Sequence, residues 1–192
     1  MAKAALQAVL AAIDAANAAD PSSEADGRPA AVVYGERMSQ ELARRASDAS
    51  EHLQIAARGQ HVERWKIARS SYPDGRAGYL AWRTDQARAH AERVTGLMAD
   101  AGYAPEDRDR VARLLRKEGI KRNPEMQMLE DVICFVFLRF YLADFRVQHA
   151  DEDIERIVAK TARKLSPDAR AAAVAEFHLP PNLAAGFADD TS

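Results

Sequence analysis

The sequence predicts an all-α protein, and three observations carry that expectation. Alanine, the strongest helix former, supplies 40 of the 192 residues, whereas Val, Ile and Thr together supply only 22. No stretch alternates apolar and polar residues over the length of a strand, while apolar residues at i, i+3, i+4 spacing recur along most of the chain. The segments between these stretches, PSSEADGRP and SYPDG among them, carry the turn and cap residues that separate helices. The expected architecture is a single compact helical domain over residues 1–180 around a buried central helix at about 124–147, with residues 181–192 as a loose tail.

Taken in order, residues 3–19 place Leu6, Val9, Leu10 and Ile13 on one face and stop before Pro21. This apolar start carries one Lys and is broken by Asp14, which fits an amphipathic helix better than a signal peptide. A second helix opens near Ala30, with Tyr34, Met38 and Leu42 on its inner face and Arg44 and Arg45 at its C-terminal end. Asp48 and Glu51 have the spacing of a capping box for a third, on which Leu53, Ala57 and His61 recur every four residues. A long helix from about Gly78 to Ala101 ends at Gly102, and Pro105 starts one that Gly119 closes. Asn123 and Pro124 cap and open the most apolar element, NPEMQMLEDVICFVFLRFYLADF. It is too short, and too interrupted by Arg139 and Asp144, to span a membrane. Two charged helices follow, at 151–164 and 166–176.

The charge balance excludes the simplest binding classes. With 27 basic and 29 acidic side chains the net charge is −2, which gives no global attraction to nucleic acid or anionic lipid. One cysteine excludes an internal disulfide framework and a cysteine-built zinc site, and Cys134 reads as a small apolar core residue. A cytoplasmic protein, monomeric or homodimeric, is the expectation.

Two groups of residues stand out as chemistry. Four ionisable residues, His61, His90, Glu118 and Asp131, fall on stripes that the periodicity assigns to the core. Imidazoles and carboxylates delivered from separate helices are the ligand set by which bundles hold divalent Mn, Fe, Zn or Mg. The second group is basic and aromatic. Between residues 62 and 83, Arg64, Lys66, Arg69, Arg76 and Arg83 alternate with Trp65, Tyr72, Tyr79 and Trp82. Arg64, Arg69, Arg83, Ser70 and Tyr72 offer the forked donors and hydroxyls that an anionic ligand needs, and Trp65 or Trp82 a face for a flat group. Each residue has a plainer alternative: Asp131 could pair with Arg58 or Arg116, His90 could bond a backbone carbonyl, and Arg-rich loops are usually solvated.

The order of segments over residues 30–145 resembles the HD-domain metal-dependent phosphohydrolases, an all-α superfamily. YGERMSQELA is similar to that family's first segment with Tyr34 in place of the metal His, and LQIAARGQHVERW to its His-Asp segment, with His61 matching and Val62 where the Asp would stand. PEMQMLEDVICFVFL resembles the segment of the last metal Asp, with Asp131 in that place, and positions near His90 and Glu118 match added ligands of two-metal members. The resemblance implies a metal held by His61, His90, Glu118 and Asp131, which would activate water for attack at phosphorus, or oxygen if the metal is iron. Glu130 would then move a proton. Over residues 1–180 the chain most resembles the family called domain of unknown function 4202, in its QH-x-x-RW, R-S-x-Y-P, W-R and L-E-D-V segments.

The expectation for function is a small anionic, phosphorylated ligand held by His61, Arg64, Arg69, Tyr72, Arg83, His90 and Asp131, with metal-assisted hydrolysis as the implied reaction. The alternative is a metal-free scaffold that binds a nucleotide or an RNA end as a sensor, with nucleic acid left open as a partner.

Overall fold

A computed structural model describes residues 2–120 and 122–187. It is all-α: among the described residues the only β-type pairing is one isolated bridge, Ser23 to Pro29. The backbone divides into two compact units, residues 1–118 and 119–192.

The first unit contains α1 (Ala2–Asn17), α2 (Ala30–Arg45), α3 (Glu51–Arg58), α4 (Gly75–Asp100) and α5 (Pro105–Leu115). Helix α3 packs on α1, α2 and α5, and α4 packs on α5 and α1. The apolar stripes read from the sequence are the buried faces: Val9 and Ile13 on α1, Met38 and Leu42 on α2, Leu53 and Ala57 on α3, Val94 and Met98 on α4, Val111 and Leu114 on α5. Ser50, rather than Asp48, caps α3, its hydroxyl accepting from the Leu53 N–H at 3.2 Å.

Residues 59–74, between α3 and α4, carry two short 3₁₀ turns, Arg64–Lys66 and Arg69–Ser71. Three polar anchors hold this segment. The buried Asn17 side chain accepts from the Glu63 N–H at 2.9 Å and donates to the Ala31 carbonyl, which fixes Glu63 at a left-handed φ of 51°. The Trp82 indole donates to the Ile67 carbonyl at 2.9 Å, and the Gln86 amide donates to the Arg64 and Ile67 carbonyls. The turn before α4 closes so tightly that a Cβ on Gly78 would lie 1.9 Å from the Pro73 carbonyl oxygen, which excludes any side chain there.

The second unit contains α6 (Pro124–Val136), a π-helical turn (Phe137–Tyr141), α7 (Leu142–Gln148), α8 (Asp151–Ala162), α9 (Pro167–Phe177) and α10 (Pro181–Ala184). The central helix expected at 124–147 is thus interrupted by one turn of π-helix, a local widening that a regular apolar pattern does not announce. Phe135, Leu138, Ile154, Val158, Leu165 and Ala173 form this unit's core. Leu183 of α10 and Phe187 of the 3₁₀ turn that follows are buried in the same cluster, so residues 181–187 are packed structure and not the expected loose tail. Residues 188–192 of that tail lie outside the described set. No helix among the described residues is long and apolar enough to cross a membrane.

Candidate functional site

The site is built in the first unit where the segment after α3 meets the middle of α4. Tyr34 on α2 lies flat on His61, with ring centroids 3.8 Å apart and planes 12° from parallel. His90, about four turns into α4, stands next to His61 at 6.3 Å between centroids. His90 is 5% exposed, and among the described residues its buried Nε2 has no hydrogen-bond partner. A buried imidazole nitrogen without a partner is uncommon, because its desolvation is uncompensated.

The charged groups that act most strongly on the two imidazoles are cations. Burial lowers His61 well below the usual imidazole range, and Arg64, His90, Lys117 and Arg83 push it further the same way. Burial, then Arg64 and Lys117, brings His90 down to about 3. Both rings are therefore neutral at physiological pH. Desolvation likewise lowers the Arg64 pKa. The Arg64 guanidinium sits over the Trp82 ring at 4.6 Å and the Arg83 guanidinium near the Tyr79 ring at 5.8 Å, so each is oriented by an aromatic face, and neither pairs with a carboxylate among the described residues. Lys117 has a left-handed φ of 61° immediately beyond α5. Next to this cluster lies a groove of about 390 Å³ lined by Leu80, Arg83, Thr84, Ala87, Arg88, Arg116, Lys117 and Glu118.

The other residues expected at the site have partners or surroundings of their own. Glu118 lies past the end of α5, is exposed, and pairs with Arg116 at 2.6 Å, because the helical stripe that would have turned it inward stops at Leu115. Asp131 and Glu130 belong to the second unit. There Asp131 accepts from the Ser166 N–H at 2.9 Å, from the Ser166 hydroxyl at 2.7 Å and from the Gln127 amide at 2.9 Å. Since the Ser166 hydroxyl caps α9, Asp131 is the anchor of a helix start, an acceptor for Ser166 and Gln127 within its own unit. Glu130 is buried at 1% exposure and is not unpaired. Arg69 spends its guanidinium on the Tyr72 and Pro73 carbonyls, and the Tyr72 hydroxyl donates to Asp85 at 2.8 Å, so both shape the loop. Ser70 is exposed and Trp65 half-buried. One face of Trp82 is taken by Arg64.

This donor set does not suit a divalent metal. Among the described residues no group of three or more His, Cys, Asp or Glu side chains is arranged to hold one, and the two imidazoles that do meet are ringed by Arg64, Arg83 and Lys117. A second positive ion would be repelled where an anion would be drawn in.

Sequence reasoning missed Lys117. Its position follows from a left-handed turn after α5, for which the only local signal is the basic run Arg116-Lys117 ahead of Gly119. The chain belongs to the family Domain of unknown function (DUF4202), whose model matches residues 7–185. No match is found among the curated proteins or the solved structures.

Proposed function

We propose that the chain binds a small phosphorylated ligand, without a metal, at the His61–His90 pair. The observation that carries this reading is the Nε2 of a buried, neutral His90, without a hydrogen-bond partner among the described residues, beside the Arg64 and Arg83 guanidiniums, which pair with no carboxylate among those residues. A phosphate oxygen is the natural complement. Arg64 and Arg83 supply forked, charge-assisted donors, and Lys117 a point charge. Each imidazole donates one N–H or accepts one P–OH according to its tautomer. Tyr34 supports the back of His61 and keeps the ring from turning away.

The test is calorimetric titration of the full chain with inorganic phosphate. Millimolar or tighter binding is expected. Arg64→Ala and His90→Ala should each weaken it by about tenfold or more, since a charge-assisted hydrogen bond is worth about 1.5–3 kcal/mol. Phosphate that fails to bind, or that binds both folded variants as it binds the wild type, overturns the reading.

A further inference from the structure

We infer that the ligand carries two anionic groups, the second seated in the groove between the first half of α4 and the turn after α5. This rests on the phosphate reading of the His61–His90 pair and deepens it.

The groove is continuous in chemistry with that pair. Arg83 and Lys117 line it and are also among the charges that act on His61, so an anion at the imidazoles has the groove as its immediate neighbour. Its lining holds four cations, Arg83, Arg88, Arg116 and Lys117, against the single carboxylate of Glu118. Arg88 and Arg116 are themselves only lightly committed. Arg88 meets Asp85 at 3.4 Å with its side chain 63% exposed, and Arg116 meets Glu118 with its side chain 37% exposed. Exposed pairs of this kind are worth at most about 1 kcal/mol, so both guanidiniums are available to a more highly charged partner. About 390 Å³ is room for a group the size of a second phosphate together with the atoms that join it to the first. Thr84 adds a hydroxyl and Leu80, half-exposed at the rim, an apolar contact. A single phosphate at the imidazoles would leave Arg88 and Arg116 unused; a diphosphate, triphosphate or bisphosphate would engage both ends.

The experiment compares orthophosphate with tripolyphosphate by calorimetric titration of the full chain and of three variants. For the wild type, tripolyphosphate should bind at least tenfold tighter than orthophosphate. Arg88→Ala combined with Arg116→Ala should bring that ratio down to about two or less, with orthophosphate affinity within twofold of the wild type. Arg44→Ala combined with Arg113→Ala, which removes the same charge from exposed positions outside the groove, should preserve the ratio. A wild-type ratio near one overturns the inference, as does an equal loss in the two double variants, which would mark bulk attraction in place of a seat. Arg88 and Arg116 are solvent-facing, and circular dichroism of each variant confirms its fold. Orthophosphate binding that persists unchanged in His90→Ala overturns the underlying phosphate reading, and this inference with it. A lost ratio with orthophosphate binding intact is the distinct signature of the second seat.

Discussion

Tyr34 and His61 lie face to face, 3.8 Å between centroids and 12° from parallel. The phenol ring makes a wall against one face of the imidazole. Tyr34→Ala should hydrate the His61 ring, moving its pKa up toward 6.5, and cost stability on the order of 2 kcal/mol. Tyr34→Phe retains the ring and should leave the His61 titration closer to that of the wild type than Tyr34→Ala does. Imidazole ¹⁵N shifts followed through a pH titration read the first quantity and urea unfolding the second.

Folding stability should fall on mild acidification. His90 titrates near 6.5 in the unfolded chain and at about 3 in the folded one, so between these values the unfolded state binds more protons. Its contribution is therefore complete above pH 6.5 and is lost as the pH falls toward 3, by on the order of 2 kcal/mol at pH 5. His61, also lowered, acts with the same sign. In His90→Leu the slope of unfolding free energy against pH between 7 and 5 should be visibly shallower; an unchanged slope would show that other groups dominate.

Anion binding should be accompanied by proton uptake. A phosphate beside His61 and His90 favours their charged forms and raises both pKa values, opposing the burial and the cations that lower them. Affinity should accordingly weaken as the pH rises from 6 to 8, apart from the phosphate's own ionisation. Titrations in buffers of different ionisation enthalpy measure the protons directly. Release of protons, or none, would contradict the assignment.

Asp131 should prove structural. Asp131→Ala removes three hydrogen bonds and the acceptor that holds Ser166, at a cost of about 3 kcal/mol, while orthophosphate affinity stays within twofold. Loss of binding in a variant of unchanged melting temperature would return Asp131 to the site.

How much of this was legible depended on the range of the interaction concerned. Helix ends are decided within a few residues, and Asn123, Ser166, Gly102 and Pro105 marked theirs correctly. The apolar stripes were equally local. What a buried carboxylate pairs with is decided by the tertiary fold: the Ser166 that holds Asp131 is 35 residues away, and nothing near Asp131 points to it. Arg69 and Tyr72 had the residue types of a binding loop, yet the loop's own carbonyls and Asp85 took them first. His61 and His90 fell on stripes that the spacing assigned to the core, and Arg64, the strongest cation on both, was legible beside them, but Lys117, which adds to it, came from a left-handed turn that periodicity does not encode.

The stacking of Arg64 on Trp82 also equips the protein with an optical reporter. The chain has two tryptophans, both in the 62–83 segment, and the emission of an indole depends on the charge held over its ring. An anion that draws Arg64 toward the imidazoles changes that charge without displacing the indole, whose N–H stays on the Ile67 carbonyl. Occupancy is then readable as a change in intrinsic fluorescence from Trp82, in unlabelled protein and in the presence of competing solutes, and Trp65→Phe isolates the signal.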